Sequence, residues 1–398
     1  MTQITIALER TNPIERVDII PLENKKSEIK KFVACAWNFY RGNRFWVPPL
    51  IGDQVKFINA GPYHEVGVIR PFLAVRGGKI VGRIIAHYDR RHNDYFKEKR
   101  GCFGFFESVN DAEVSRALFG AAEGWLKENG MDQMQGPYNF MLYDAPGVLM
   151  DDYDNIPALE LNYNPPYYPE LYRDYGLEKK IDWYAYRLTV EQRFPKLFYR
   201  MWEKIGKEAA ERKNGLVIRE PDLKKFDQEK KKILTVFNEA WSDNWGHYPL
   251  TDNQWDKFAS EMKPIIRPEL VLIAEYDGDP AGFIVSIPDA NPAIQTANGR
   301  LFPFGLIKIL IGMRKIDRMK TIIMGVRPKY RMRGLDAYFY IETFERAKRL
   351  GFALSDLSLI VENNRSMRNA LDHIGAAIYK TYRIYHKPFL LATGTGVR

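Results

Sequence analysis

The sequence from residue 326 to residue 337 reads Val326-Arg-Pro-Lys-Tyr-Arg-Met-Arg-Gly-Leu-Asp-Ala337. An apolar run at 321–326 comes before the turn and predicts a strand, and the spacing of apolar residues at 336–350 predicts a helix after it. The first N–H groups of such a helix have no partner within the helix, and they bind phosphate well. The stretch therefore predicts an α/β unit with an anion site at the start of a helix.

The side chains of this turn favour a phosphate ligand. Gly334 lets the backbone approach a ligand closely, and Arg331 and Arg333 add charge-assisted contacts. The window 308–333 holds nine basic residues and one acid, Asp317, in a chain of net charge +9. Such a cluster attracts the phosphates of a cofactor, a nucleic acid or an anionic membrane, but a solvated basic face has the same composition.

The same order of elements is found twice along the chain. In each half the pattern predicts a hairpin, a strand, a helix, a strand that ends in asparagine, and a second helix that ends at glycine. The predicted ranges are 72–86, 102–107, 112–129, 131–139 and 169–176 in the first half, and 270–285, 321–326, 336–350, 354–364 and 366–375 in the second. The sequence therefore predicts a duplicated α/β unit.

The predicted organisation has four parts. Residues 1–195 form an N-terminal domain, 196–215 a helical connector, 216–390 a C-terminal domain that carries the phosphate-binding turn, and 391–398 a disordered tail. A length of 398 residues with 45% apolar and 27% charged residues is typical of a soluble protein of two domains.

Several classes of protein are not expected. The two cysteines exclude a disulfide framework, and the six histidines show no metal-ligand spacing, so no metal is expected. The sequence contains no GxxxxGK[ST], GxGxxG, GxSxG or HExxH motif in a suitable context. No secretory pattern is visible at the start, which favours a cytoplasmic protein.

The segment Val-x-Pro-x-Tyr-Arg-x-x-Gly after a strand resembles the acetyl-CoA pyrophosphate loop of the GNAT acyltransferase superfamily, whose core is [Arg/Gln]-x-x-Gly-x-[Gly/Ala]. Asp336 stands where that family has glycine or alanine. The run Glu362-Asn-Asn-Arg-Ser366 resembles the second family motif, but Leu371 stands where a tyrosine commonly protonates the leaving thiolate. The resemblance implies acyl-CoA or acetyl-CoA as co-substrate, held by Val326, Arg331, Met332, Arg333, Gly334, Leu335, Asp336, Ala337 and Asn364.

Segments at 101–107, 136–140, 164–168 and 244–249 resemble signatures of one tandem-GNAT family, the bacterial ceramide synthase-like proteins. This resemblance implies two GNAT-like domains, each a mixed twisted sheet flanked by helices. The first domain is degenerate, because its loop at 107–111 has neither glycine nor arginine. The implied function is transfer of an acyl group, expected to be long-chain, from CoA to a primary amine such as a lipid amino alcohol.

Candidate groups for proton transfer lie in Asn244-Trp-Gly-His-Tyr-Pro249. A general base must take a proton from the amine, and a histidine with an ordinary pKa of about 6.5 suits that role at cellular pH. His247 and Tyr248 are therefore the catalytic candidates, although simple packing of these side chains is equally compatible with the sequence. Glu107 is expected to anchor the degenerate loop rather than to act as a base.

Two other functions fit the sequence. Tandem-GNAT folds also include enzymes that transfer amino acids from charged tRNA, and the basic window at 308–333 suits such a partner. The departures at Asp336 and Leu371 are compatible with a non-catalytic CoA-binding protein. For an acyl-CoA-dependent enzyme the partners are the CoA thioester and the amine, and nucleic acid is not expected.

The longest apolar stretch, at 301–313, is interrupted only by Lys308 and is followed by basic residues. It is too short to span a bilayer. Three interpretations remain open: peripheral contact with an anionic membrane, the wall of an acyl-chain groove, or buried packing between the two halves.

Overall fold

The computed structural model describes residues 16–389, so the predicted disordered tail at 391–398 lies outside the described residues. The helices and strands of the first half are β1 (Asp18–Pro21), α1 (Lys26–Ala34), α2 (Ala36–Phe39), α3 (Ile51–Ala60), β2 (Gly67–Arg76), β3 (Lys79–Asp89), α4 (Arg90–Phe96), β4 (Arg100–Ser108), α5 (Ala112–Glu128), β5 (Gln133–Gly136), β6 (Val148–Leu149), α6 (Tyr168–Asp174) and β7 (Glu178–Thr189).

The second half repeats this order with additional helices. Its elements are α7 (Lys196–Ala210), β8 (Leu216–Arg219), α8 (Phe226–Ala240), α9 (Asp252–Met262), β9 (Val271–Tyr276), β10 (Asp279–Pro288), α10 (Asn291–Gln295), α11 (Gly305–Met313), β11 (Arg318–Val326), α12 (Leu335–Arg349), β12 (Leu354–Val361), α13 (Arg365–His373) and β13 (Ala377–Pro388). The predicted duplicated α/β unit is confirmed.

The strands form one continuous mixed sheet. Its order is β1-β2-β3-β4-β5-β13-β7-β12-β11-β10-β9-β8, with β6 paired to β13 outside this path. Two pairs in it are parallel, β4 with β5 and β11 with β12, and the pairs are equivalent in the two halves. Helices flank the sheet, so the predicted mixed α/β class is confirmed.

The two halves exchange their last strands. β7, which ends the first half, pairs with β12 of the second half, as at Tyr184 and Ile360. β13, which ends the second half, lies between β5 and β7 and pairs with β5 at Gly136 and Tyr385. Each half therefore completes its backbone hydrogen bonds with a strand from the other half.

The core continues across the junction between the halves. One cluster of buried side chains contains Phe140 and Met141 from the first half together with Phe237 and Val285 from the second. Backbone and side-chain hydrogen bonds also cross the junction, including one from the Leu159 N–H to Asp289 at 2.9 Å. The halves therefore share one hydrophobic core, and burial of its apolar surface stabilises both.

The apolar stretch at 301–313 forms α11 and the turn before it. Phe302 is 83% exposed and Phe304 is 65% exposed, so the interpretation as buried packing between the halves is wrong. Gly305 and Gly312 face the rest of the protein instead of the large side chains. Within residues 16–389, none of the helices is both long enough and apolar enough to cross a membrane.

The strand exchange predicts that neither half folds alone. A fragment of residues 1–195 lacks β13, which leaves the edges of β5 and β7 unpaired. We expect this fragment to aggregate and to show no cooperative transition in urea, whereas its co-expression with residues 196–398 restores a soluble complex. Size-exclusion chromatography and circular dichroism measure both results. A monomeric fragment 1–195 with a cooperative transition would contradict this interdependence.

Candidate active site

The parallel strands β11 and β12 separate in the middle of the second half. They pair from Arg318 with Leu354 to Thr321 with Leu357, after which β12 continues along β7. Beyond this point the strands diverge and leave an opening in the sheet. The opening is the natural entrance to a ligand site, because diverging strands expose backbone groups that a ligand can bind.

A cleft of about 630 Å³, counting the space at its mouth, occupies this opening. Its walls come from β11, β12, α8 and α9 of the second half, from β7, and from residues 141–163 of the first half. Most of the lining is apolar or aromatic; the residues are Leu142, Tyr143, Pro146, Glu160, Trp183, Phe237, Trp241, Leu250, Trp255, Phe258, Lys320, Ile322, Ile323, Ser358 and Leu359. Such a lining suits the hydrocarbon chain of a substrate.

Tyr143 brings a hydroxyl group to this apolar cleft. A hydrogen bond joins the hydroxyl to Nδ1 of His247. The His247 ring is 3% exposed and packs edge-on against Phe237, with 5.3 Å between ring centroids. Burial lowers the pKa of His247 to about 4, so its ring is neutral at cellular pH. Within the described chain, Nε2 of His247 has no hydrogen-bond partner.

His247 and Tyr248 point to different places although they are neighbours in sequence. The Tyr248 hydroxyl donates to the Asp89 carboxylate at the end of β3. The Tyr248 ring packs edge-on against His92, with 5.1 Å between centroids, in a small cavity of the first half. The cleft lining contains neither side chain, and His247 reaches it through Tyr143. Their catalytic roles stay predictions.

Glu160 and Lys320 supply the charged groups of the cleft. Lys320 is 2% exposed, and its ammonium donates to the Leu159 carbonyl. Burial raises the pKa of Glu160 above its ordinary range, although the charge of Lys320 opposes this shift. Glu160 also has a φ of +60°, which is uncommon for a residue with a Cβ. Neither residue is among the site residues that the sequence predicts.

The turn between β11 and α12 has a free helix start. Gly334 is the N-cap of α12, with a φ of +86° and no side-chain cap hydrogen bond. The backbone N–H groups of Leu335, Asp336 and Ala337 are therefore not bonded by a capping side chain. Met332 is fully exposed and Asp336 lies on the surface of the first helical turn. This geometry fits a phosphate, while the charge of Asp336 opposes one.

The arginines of the turn are partly held by the protein. Arg331 donates from Nη2 to the Ala240 carbonyl at 2.9 Å and from Nε to the Val326 carbonyl at 3.3 Å. The Arg333 guanidinium lies over the rings of Tyr276 and Tyr330, at 5.0 and 5.3 Å. Arg331 therefore braces the end of β11 against α8, and Arg333 stays exposed at the turn.

The rest of the basic window does not form one surface. Arg327 pairs with Glu239 and Asp279 at 2.7 Å each, and Arg318 pairs with Asp289. Lys320 is buried in the cleft wall. These three side chains are therefore held by acids or by burial, and the exposed positive charge of the window comes from its other members.

Asn364 lies between β12 and α13, in the second family motif. Its side chain accepts from the Met367 N–H at 3.1 Å and so caps α13. Its Nδ2 donates to Asn244 at 3.3 Å, on the segment that carries His247. Asn364 thus links the start of α13 to that segment.

Comparison with known proteins places the chain in a family. No protein-family model matches the chain. Protein YghO of Escherichia coli K12 is 32% identical over 394 residues, which are 96% of this chain and 98% of that protein. The bacterial ceramide synthase of Caulobacter vibrioides is 30% identical over 380 residues, which are 93% of this chain and 97% of that protein. The chain belongs to the bacterial ceramide synthase-like family.

Solved structures agree with this fold. A tandem GNAT protein from the clavulanic acid biosynthesis pathway aligns with a TM-score of 0.53 over 94% of this chain and 98% of that one, at 13% identity. A GCN5-related glucosamine N-acetyltransferase region of a fungal multi-domain enzyme aligns with a TM-score of 0.56 over 97% of this chain and 40% of that one, also at 13% identity. This member of the ceramide synthase-like family therefore has a tandem GNAT fold.

In this family member the first half cannot offer an equivalent phosphate site. Asp111 caps α5 by accepting a hydrogen bond from the Glu113 N–H at 2.8 Å. Arg76 forms ion pairs with the side-chain carboxylates of Asp111 and Glu113. The opening between β4 and β5 is filled, because Phe105 N–H donates to Asn139 at 2.9 Å across it. Of the two helices that follow these strands, α5 starts with a side-chain cap, whereas α12 of the second half starts without one.

Glu107 is an anchor of the first half. It is 8% exposed and accepts hydrogen bonds from Tyr40 at 2.8 Å and from Tyr168 at 2.6 Å, with Arg83 at 3.3 Å. All of these partners belong to the first half, and the cleft lining does not include Glu107.

The positions at which the two halves would carry the motif tyrosine do not face the cleft. Leu371 is 1% exposed in the core, and Tyr172 is 1% exposed among aromatic side chains of the first half, so neither faces the cleft. Tyr143 does face it, from the connection between β5 and β6. A signal for Tyr143 was its place three residues after the family segment 136–140.

The positive φ of Gly334 makes the turn sensitive to a single added methyl group. Gly334→Ala puts a Cβ at a φ of +86° and 3.0 Å from Met201, so we expect CoA binding at least about tenfold weaker and a loss of about 1 kcal/mol in the free energy of unfolding. Titration calorimetry with CoA measures affinity and stoichiometry, which we expect to be one CoA per chain.

A matched control exists at the other end of α12. Gly351→Ala has a φ of +84° and no atom within 4 Å of the added Cβ, so it carries the same backbone strain away from the turn. We expect it to bind CoA with wild-type affinity. Equal affinities in the two variants would place the CoA phosphates somewhere other than this turn.

Proposed function

We propose that this protein is an N-acyltransferase that transfers an acyl group from a CoA thioester to the primary amine of an amphiphile with a long apolar chain. The observation that carries the proposal is the aromatic cleft in the divergence of β11 and β12, together with the uncapped start of α12, the helix that follows β11. An apolar cleft on β11 and an anion site at the helix that follows β11 match the two ends of an acyl-CoA molecule.

The residues of the turn fit the phosphates of CoA. The N–H groups of Leu335, Asp336 and Ala337 and the positive end of the helix dipole favour a pyrophosphate, with Arg333 exposed beside them. Gly334 adopts the φ of +86° with which this turn leads into α12. A CoA thioester bound there would supply the activated carbonyl group, and the cytoplasm is the proposed location of the reaction.

Proton transfer from the amine needs an acceptor in the cleft. The amine is an ammonium ion in water and must lose a proton before its nitrogen attacks a carbonyl group. Glu160 faces the cleft and carries a raised pKa, which brings it closer to the pKa of an effective base at cellular pH. We assign Glu160 to bind the amine and to take its proton.

The leaving thiolate needs a proton donor, and we assign Tyr143 to that role; the second proton that the nitrogen loses, as the amide forms, returns to the Tyr143 oxygen. Burial raises the pKa of Tyr143, so the hydroxyl keeps its proton in the free protein. The hydrogen bond to His247 holds the hydroxyl in one orientation at the cleft wall. His247 is thus a positioning residue in this proposal, in place of the base that its sequence context predicts.

The class of acceptor follows from the apolar lining together with the family. Trp241, Trp255 and Phe258 line the cleft with large apolar surfaces, which favour a hydrocarbon chain over a polar amine. A relative in this family is a bacterial ceramide synthase. A long-chain amino alcohol is therefore the proposed acceptor, and a long-chain acyl group the proposed donor.

The direct test is a thiol-release assay with purified protein. We expect free CoA and an N-acyl product by mass spectrometry when a long-chain acyl-CoA and a long-chain amino alcohol are both present, and much slower release with short-chain amines. CoA binding without turnover across a panel of acyl-CoA donors and amines would support a non-catalytic CoA-binding protein and overturn the proposal.

Two tyrosine variants distinguish the proposed catalytic role of the Tyr143 hydroxyl from a structural role of the Tyr248 hydroxyl. Tyr143→Phe should lower kcat by about 10²-fold with little change in KM, because it removes a proton donor. Tyr248→Phe should keep kcat but lower the free energy of unfolding by about 1–3 kcal/mol, because Asp89 loses its hydroxyl partner. Steady-state kinetics and urea unfolding give both quantities.

The pH profile gives an additional check on His247. Its pKa of about 4 means that its ring stays neutral between pH 8 and pH 5. Any fall in kcat over this range should therefore persist in His247→Gln. A limb near pH 6.5 that disappears in this variant would instead assign His247 as a base.

A further inference from the structure

Helix α11 and the turn before it present an apolar ridge to solvent. The large apolar side chains of the ridge are between 48% and 83% exposed: Phe302, Phe304, Leu306, Ile307, Leu310 and Ile311. A surface helix normally turns such side chains toward the core. The ridge has the opposite arrangement, which marks it as an interaction surface.

Small residues hold the helix in this inverted orientation. A Cβ on Gly312 would lie 2.9 Å from the Cβ of Ala293, and a Cβ on Gly305 would lie 3.2 Å from that of Ala297. Any larger residue at these positions would push α11 away from α10 and from the turn that follows α10. Because α11 packs so closely at these glycines, its large apolar side chains cannot point toward the protein and face solvent instead.

Cations surround the ridge. Arg300, Lys308, Arg314 and Lys315 are exposed, and none of them forms an ion pair with an acid in the part of the chain that the structure describes. The segment that supports α10 adds the exposed Arg44, whose carbonyl accepts from Gln295 at 2.9 Å. The surface therefore combines exposed hydrocarbon with unpaired positive charge.

We propose that the apolar ridge docks the protein on an anionic lipid bilayer. Apolar side chains that enter the boundary between headgroups and acyl chains lose contact with water, and cations near them attract anionic headgroups. A helix of nine residues suits a position along the interface. Neither contribution alone gives stable attachment, and the ridge supplies both.

A second copy of this chain fits the surface less well. Two copies that met through the same face would bring their unpaired cations together, and no acid within the ridge would compensate them. The bilayer proposal does not depend on the proposed enzymatic activity, because lipid binding is measured without turnover.

Flotation of the full chain with lipid vesicles tests the proposal. We expect the protein to float with vesicles of phosphatidylcholine and phosphatidylglycerol at low salt, at least about tenfold less in about 0.5 M NaCl, and at least about tenfold less with phosphatidylcholine alone. Phe302→Asp/Phe304→Asp should reduce flotation at least about tenfold, and thermal unfolding checks that this variant is folded.

A charge-matched control separates the ridge from net charge. Leu197→Asp/Ile378→Asp changes two other exposed apolar residues, 63% and 43% exposed, and alters the net charge equally. We expect it to float like the wild type. Arg314→Gln/Lys315→Gln, which leaves the apolar side chains intact, should lose binding to anionic vesicles at least about fivefold.

Other outcomes would overturn the proposal. They are a folded ridge variant that floats like the wild type, a wild type that does not float with anionic vesicles, and a wild-type dimer in sedimentation that Phe302→Asp/Phe304→Asp converts to monomer without any lipid binding.

Discussion

The position of β13 between β5 and β7 is the constraint on which the rest of the structure depends. β13 pairs with β7 from Ala377 to His386 and with β5 from Tyr385 to Pro388, so the last strand of the chain completes the sheet of the first half. β7 in turn completes the sheet of the second half. Because backbone groups of both halves are satisfied only through this exchange, the halves have a fixed relative position, and a cleft with walls from both halves becomes possible.

The two halves share a fold but differ in what their equivalent positions can bind. The first half closes its strand divergence with Asn139 and caps its helix with Asp111, and Arg76 beside that cap is used in ion pairs with Asp111 and Glu113. The second half leaves its divergence open and starts its helix at Gly334 without a side-chain cap. The closed half instead contributes Tyr143 and Glu160 to the cleft of the open half. Duplication followed by this asymmetry explains why one chain of two similar halves has one candidate site.

Polar groups are sparse in the cleft, and the low polarity around them determines their properties. Burial lowers the pKa of His247 and raises the pKa of Glu160 and Tyr143, because desolvation penalises the charged form of each group. The outer surface has the opposite character at α11, where hydrocarbon side chains face solvent and cations surround them. An apolar interior channel and an apolar exterior ridge on one chain both suit molecules with long hydrocarbon chains.

Local features of the chain were readable from the sequence alone. Alternating apolar runs and helix-ending glycines predicted both α/β halves, and the sequence at 326–337 predicted the strand–turn–helix around Gly334, because turn conformation and helix starts depend on neighbouring residues. The strand exchange, the burial of Lys320 and the opposite directions of His247 and Tyr248 were decided by tertiary structure. Tyr143 reaches a residue 104 positions away, and no spacing pattern encodes such a contact. Apolar periodicity likewise could not distinguish a buried α11 from an exposed one. The close packing of Gly312 against α10 and of Gly305 against the turn after α10 determines which face of α11 meets solvent.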